Sequence, residues 1–419
     1  MISRLVMNFI LRHPKLGRIL VGILKRYFPK ITGSYPRLIG GELEEIKKVL
    51  VSPNWNMAYC PNDGVHIHLE DYFARYIGTS EAVVVGSGGV AIQISLRALG
   101  LKAGSRVLVQ IDTCAAAIQA IMAANCVPIF IDINERNLMI NSVSAEYLNE
   151  WKIECILVTH MWGRPDNIIQ IMKDARASGV FVIEDACLSL GASIDKKMLG
   201  SVADLGIFSF GCIKPVQAGE GGMITTNNTD LARELRALRS WGDRTHEFGV
   251  RDVVVPSWNG RISEVLCALI LEQMKAYPKH LNHLHDNVEN LSEFLSSTGL
   301  GEINLGSGNS IKECSFTQAV IGLNPQIASM TTTSLIAKFR RNGLVCWYPN
   351  FEPGNRLTLF KERNWEKWTG FSSDEISRNY YSNFEVSERY FERGYLGVSK
   401  SVLLSKSNLK RFKKVLEHG

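Results

Sequence analysis

Three side chains able to do chemistry fall close together in the stretch Val180 to Thr226: the carboxylate of Asp185, the hydroxyl of Ser209 and the amine of Lys214. A lysine amine condenses with carbonyl compounds and, once released, can serve as a base. A carboxylate held against a nitrogen heterocycle favours the protonated ring. The flanking residues say where each group sits. Phe181, Val182 and Ile183 form a bulky apolar run that stops at Glu184 and Asp185, the pattern of a buried parallel strand with acids at its carboxyl end. Leu205 to Phe210 is a second such run, and it brings Ser209 and Lys214 to the same rim. Open α/β sheets bind ligands along that rim. Taken singly, a lysine beyond a strand reads as a solvated loop residue and an acid at a strand end as a helix cap; their order and spacing give them weight.

The remaining elements form a frame for these groups. Ile39 to Tyr76 reads as a helix, a loop and a second helix beginning near Val65. Ala82 to Val85 is a short apolar strand, followed by Gly86-Ser87-Gly88-Gly89 and a helical pattern through Leu99. A strand, a glycine loop and a helix start make an anion site, because glycine lets backbone approach a phosphate and the first helical amides attract it. The plainer reading of the loop is a tight turn. Further apolar runs at Val107 to Val109, Ile129 to Asp132 and Cys155 to Thr159 are separated by helical stretches, Ala115 to Ala124 and Asn167 to Ala177. That alternation predicts an α/β fold with a mostly parallel seven-stranded sheet flanked by helices. Too few residues separate Phe210 from Met223 for a helical crossover, so that last pair is expected to be antiparallel. A helix from Asp230 to Ser240, a mobile loop to Pro256, a long helix to Met274 and a second helix from Lys275 follow. The smaller C-terminal domain reads as α+β, with strands at Phe316 to Leu323 and Leu344 to Tyr348. The expected division is an arm at 1–38, a large domain at 39–275 and a small domain at 276–419.

The lysine-bearing stretch resembles the core of the DegT/StrS family of sugar aminotransferases, EDxAxxxGA, then FSF, K and GEGG. Here those positions are Glu184-Asp185 with Gly191-Ala192, Phe208-Ser209-Phe210, Lys214, and Gly219-Glu220-Gly221-Gly222. Trp55 and Glu70 fit its leading segment more loosely, and Asn259-Gly260-Arg261-Ile262-Ser263-Glu264 falls where the family has NxRMSE. The resemblance implies a fold-type I architecture and pyridoxal 5'-phosphate as cofactor. It makes Lys214 the Schiff-base lysine and proton carrier, and sets Asp185 against the pyridine nitrogen. The phosphate then sits among the amides of Gly88 and Gly89, the Ser209 hydroxyl, and Asn259 reaching in from the other subunit of a homodimer with shared active sites. The plainer role for Asn259 is to cap the following helix, and both can hold. Three positions depart from the family. Gly89 replaces a threonine, Cys114 stands where an aromatic residue stacks on the cofactor ring, and Leu188 stands where Gln or His touches the ring hydroxyl. A thiol offers less ring contact than an aromatic face, and leucine has no hydrogen-bonding group. Residues 347–354, WYPNFEPG, fall where the family has a loop approaching substrate, and read equally as a turn of the small domain.

Composition sets the outer bounds. Apolar residues make up 46% and charged residues 21% of 419, ordinary for a globular enzyme. Of the 47 Lys and Arg, eight lie in residues 1–41 with no acid among them, leaving 39 against 41 Asp and Glu in the rest. The basic surplus therefore belongs to the arm. Its apolar and basic residues alternate at helical spacing, which suits either an anionic membrane surface or packing against its own subunit or a partner. Nine scattered cysteines with no CxxC pair point to neither a disulfide framework nor a metal site, and fit a reducing cytoplasm. A basic arm alone does not indicate nucleic-acid binding. The leading expectation is an aminotransferase of polysaccharide biosynthesis that acts on a keto-sugar, nucleotide-linked as the resemblance implies, with glutamate or glutamine as amino donor. Two alternatives stand beside it. One is a cofactor-dependent sugar dehydratase, whose relatives replace the lysine with histidine. The other is a catalytically degenerate scaffold, for which Cys114 and Leu188 are the evidence.

Overall fold

The computed structural model describes residues 41–53, 55–57, 63–140, 142–244, 252–369 and 374–417. The basic arm and part of the expected loop before Pro256 lie outside them. Seven strands build the large sheet: β1 (Glu81–Val85), β2 (Arg106–Gln110), β3 (Val127–Ile131), β4 (Ile153–Thr159), β5 (Phe181–Asp185), β6 (Leu205–Ser209) and β7 (Gly222–Thr226). Their spatial order is β1-β7-β6-β5-β4-β2-β3. The five strands from β6 to β3 run parallel, while β7 is antiparallel to both β1 and β6, as the short Phe210 to Met223 connection requires. Helices cover both faces, so the strands are buried on both sides and appear in the sequence as unbroken apolar runs.

The helix expected to end at Met274 and restart at Lys275 is one continuous element, Glu264–Thr298, with Pro278 inside it. Tyr277 and Leu281 pack into the large core, and Leu284, Val288, Leu291 and Leu295 into a second core. The change of packing partner near Pro278 produces the apparent break in the pattern. Ser263 caps this helix by accepting from the Leu266 amide, so the cap is not Asn259.

The second core lies under a four-stranded antiparallel sheet, β8 (Gly301–Asn304), β9 (Gln318–Leu323), β10 (Cys346–Trp347) and β11 (Tyr395–Ser399), in the order β8-β9-β11-β10. Between β10 and β11 the chain returns to the large core, where Phe360, Trp365, Tyr380 and Phe384 pack with Phe130 of the edge strand β3. The Asn379 amide accepts from the Phe130 amide (2.8 Å) and donates to its carbonyl (2.9 Å). Tyr147 Oη donates to the same carbonyl (3.0 Å), so the open edge of β3 is met at Phe130 by two side chains.

Candidate active site

The carboxyl ends of β4, β5 and β6 meet at a buried polar cluster. Glu184, fully buried, accepts from the amides of Gly200 (2.8 Å), Val202 (2.8 Å) and Ala203 (2.9 Å) and lies 3.1 Å from His160 Nε2. His160 Nδ1 accepts from the Asp166 amide (3.0 Å), which puts the ring proton on Nε2, facing Glu184. The backbone amide of His160 donates to the Asp185 carbonyl (3.1 Å), and Ser189 Oγ donates to the His160 carbonyl (2.5 Å). One nitrogen of this imidazole thus meets the end of β5, and the other holds the segment that follows β4. Asp185 itself is 4% exposed and accepts from the Cys187 amide (3.1 Å).

Around this end the glycine loop closes. Ser87 caps the helix Gly88–Ala98 by accepting from the Val90 amide, leaving Gly88 and Gly89 as its first residues. A Cβ on Gly88 would lie 3.0 Å from both Ser209 Cβ and Cys187 Sγ, whereas one on Gly89 would meet nothing nearer than Ser87 Oγ at 3.8 Å. Gly222 presses on the same loop from β7: its Cβ would lie 2.5 Å from the Ser87 carbonyl and 2.8 Å from the Gly88 amide nitrogen. The helix start is therefore packed from below and open above.

Lys214 sits in the connection between β6 and β7. Its amide donates to the Gly211 carbonyl (3.1 Å) and its carbonyl accepts from Gln217 Nε2 (2.9 Å). Gln217 is in turn clamped to the long helix by two reciprocal bonds with Gln273, of 3.0 and 2.6 Å. The Cys187 thiol registers the surrounding charges. Burial and the Asp185 carboxylate push it well above the usual thiol range, Lys214 pulls it back, and Cys114 adds a smaller upward push. Gly88, Ser209 and Asp185 thus meet at Cys187, with Lys214 and Cys114 close enough for their charge to bear on its thiol.

Two of the sequence-derived residues lie apart. Leu188 packs into a separate apolar cluster with Met161, Trp162 and Val320. Asn259 is exposed and folds its side-chain oxygen onto the Arg261 amide (3.1 Å), while the neighbouring Gly260 carbonyl accepts from Gly86 (2.8 Å).

Sequence reasoning passed over a second buried network beside the first. Asp112, just past β2, accepts from Gln110 Nε2 (2.8 Å) and from Asn350 Nδ2. Asn350 Oδ1 accepts from Arg164 Nη2 (3.2 Å), and Arg164, fully buried, also donates to the Met161 carbonyl and to Asn304. Desolvation pushes the Asp112 carboxyl up to about 6 and the Arg164 guanidinium down to about 10, each opposed in part by the charge of the other.

A seven-stranded sheet with one reversed strand, a glycine loop at a helix start and a lysine between the last two strands define the fold-type I class of pyridoxal phosphate-dependent transferases. Solved structures agree on the fold: an aminotransferase from Psychrobacter cryohalolentis superposes with a TM-score of 0.78 at 20% identity, covering 92% of this chain and 97% of that one. The Escherichia coli GDP-4-keto-6-deoxy-D-mannose-3-dehydratase with bound hydrated PLP superposes with a TM-score of 0.75 at 20% identity, covering 91% and 98%. Residues 41–381 match the DegT/DnrJ/EryC1/StrS aminotransferase family, and the chain belongs to it. Among curated relatives, GDP-perosamine synthase of Caulobacter vibrioides is 30% identical over 257 residues, 60% of this chain and 67% of that protein. The UDP-4-amino-4,6-dideoxy-N-acetyl-beta-L-altrosamine transaminase of Campylobacter jejuni is 33% identical over 227 residues, 54% and 59% of the two chains. The aligned stretches thus span about half to two thirds of these relatives.

Proposed function

We propose that this protein is a pyridoxal phosphate-dependent aminotransferase that turns a keto group on a nucleotide-linked sugar into an amine, with glutamate or glutamine as donor. The observation carrying this reading is the meeting of Asp185, Ser209 and the Gly88 helix start at the half-buried Cys187 thiol, on which the charge of Lys214 also acts. The printed activities of the relatives, a GDP-sugar synthase and a UDP-sugar transaminase, supply the sugar class.

The residues fit the cofactor. Open space above Gly89, amides at a helix start and the Ser209 hydroxyl suit a phosphate, and the buried Asp185 carboxylate would suit a ring nitrogen. When bound, pyridoxal phosphate supplies a carbonyl carbon to which amines link and a ring that draws electron pairs from them. The protein does the rest. Asp185 holds a proton on the ring nitrogen, while Lys214 anchors the cofactor and, once displaced by the donor, carries a proton to and from the reacting carbon. The clamp of Gln217 on Gln273 fixes the turn from which the lysine works.

We read the protein as a homodimer in which Asn259 serves the neighbouring subunit. The exposed apolar side chains Leu43, Leu50, Val51 and Trp55, with Ile213 beside Lys214, support a covered face. A cytoplasmic enzyme, touching membrane only through its arm, completes the reading; no helix among the described residues is long and apolar enough to cross a bilayer.

A degenerate scaffold remains the second reading, favoured by Leu188, which turns into an apolar cluster. Lys214 disfavours the dehydratase. Visible absorption of the protein purified with pyridoxal phosphate separates these. An aminotransferase gives a band that borohydride bleaches, that glutamate or glutamine shifts, and that is missing in Lys214→Ala. A protein that holds no cofactor under those conditions is the scaffold.

A further inference from the structure

The loop 347–354 is fastened at four points. The Tyr348 carbonyl accepts from Gln318 Nε2 (2.8 Å), and Asn350 bridges Asp112 and Arg164. Phe351 lies against the Trp162 ring with centroids 4.8 Å apart, and the Gly354 amide donates to the Ile111 carbonyl (2.6 Å). Three of these points lie at the carboxyl ends of β2 and β4, the rim on which Asp185 and Cys114 also stand. Phe351 joins the same apolar cluster as Leu188, three residues beyond Asp185. The loop is therefore a wall along one side of the cluster around Cys187, with Trp347 and Glu352 left exposed.

Asn350 joins Asp112 to Arg164. It is 5% exposed, donates to a carboxylate of the large domain, and accepts from a guanidinium that also donates to Asn304 of the small sheet. Asp112 and Arg164 carry opposite charges in a dry site, which holds the amide between them in one orientation. An amide so fixed sets the backbone of the residues beside it.

We propose that Asn350 is a positioning residue for the sugar substrate, locking the 347–354 wall at the distance from the site that the sugar requires. The proposal rests on the functional reading above. The keto-sugar meets a preset surface instead of ordering a loop, so the bridge acts on sugar binding and leaves the donor half-reaction alone.

The test compares Asn350→Ala with the exchange Asp112→Asn plus Asn350→Asp, in the full-length holoenzyme. In the exchanged pair the amide donates from the other side and the carboxylate meets Arg164 directly. The probes are GDP- and UDP-linked 4-keto-6-deoxyhexoses. For Asn350→Ala the sugar KM rises tenfold or more, kcat stays within threefold, and cofactor affinity and the donor-induced spectral change match wild type. The exchange returns KM to within threefold of wild type. An unchanged KM in Asn350→Ala, an equal loss of cofactor affinity, or an exchange no better than the alanine variant overturns the proposal. If the wild type completes the donor half-reaction but aminates none of these sugars, the sugar assignment fails separately. Hydrogen exchange across 348–354 then decides the bridge alone: faster in Asn350→Ala and restored by the exchange supports it, and equal rates overturn it.

Discussion

Replacing Glu184 by Gln tests whether the end of β5 is held as its geometry implies. The carboxylate takes Val202 and Ala203 on Oε1, and Gly200 and His160 on Oε2, with no exposure to solvent. An amide has one oxygen. If it keeps the first pair, its NH2 faces the Gly200 amide and the His160 Nε2 proton, and the ring cannot switch tautomer because Nδ1 already receives the Asp166 amide. Two buried donors are then unpaired at about 1–3 kcal/mol each, so the loss is about 2–6 kcal/mol before any lost charge assistance. Urea unfolding followed by far-UV circular dichroism reads this. With a slope of about 3 kcal/mol per molar, the midpoint falls by about 0.7–2 M. Cofactor affinity falls with it, because Asp185 is the next residue. A midpoint within 0.2 M of wild type, on the order of the measurement's own scatter, would refute the arrangement, since it would require a proton on Glu184 or on His160 Nδ1.

Three further outcomes follow from the geometry. Gly222→Ala drives a Cβ into the Ser87 carbonyl at 2.5 Å, so it displaces the glycine loop and weakens cofactor binding by at least about tenfold in equilibrium dialysis, roughly the worth of one lost charge-assisted bond. Gly163→Ala combines a φ of +87° with a Cβ 2.5 Å from the Phe316 amide nitrogen, and is expected to lower stability by about 2–4 kcal/mol in the same urea assay. Asp112 has a folded-state value raised to about 6, so its contribution to stability is full below about pH 4 and is lost as pH rises through about 6. Wild type should therefore lose on the order of 3 kcal/mol relative to Asp112→Asn from pH 4 to pH 7, and a difference independent of pH would contradict it.

The large sheet was legible because its strands are buried on both faces, which leaves runs such as Val107 to Val109 unbroken by polar residues. The antiparallel last strand was legible from the length of its connection alone. The strands Gly301–Asn304 and Tyr395–Ser399 were not: GEIN has no fully buried position and YLGVS is interrupted by glycine, so neither stands out from a loop. The long helix was divided in two because its apolar face serves two cores in succession. The lysine, the acid and the serine were found because they lie within thirty residues of one another along two neighbouring strands. Asp112 and Asn350, by contrast, are 238 positions apart. Nothing local marks either as buried, and only the folded chain shows that each is the other's partner.

The strand order β8-β9-β11-β10 also bears on how the protein is made. The last strand, Tyr395–Ser399, lies between two strands synthesised before it, pairing with Gln318–Leu323 on one side and Cys346–Trp347 on the other. While the chain is still emerging from the ribosome, β9 has one open edge and β10 has no neighbour in the sheet. The small sheet therefore closes only once Tyr395–Ser399 has been made and can slot between them. A nascent chain that stalls before Tyr395 presents an apolar strand edge to other chains, which makes the synthesis of Tyr395–Ser399 the point at which translation errors turn into aggregation.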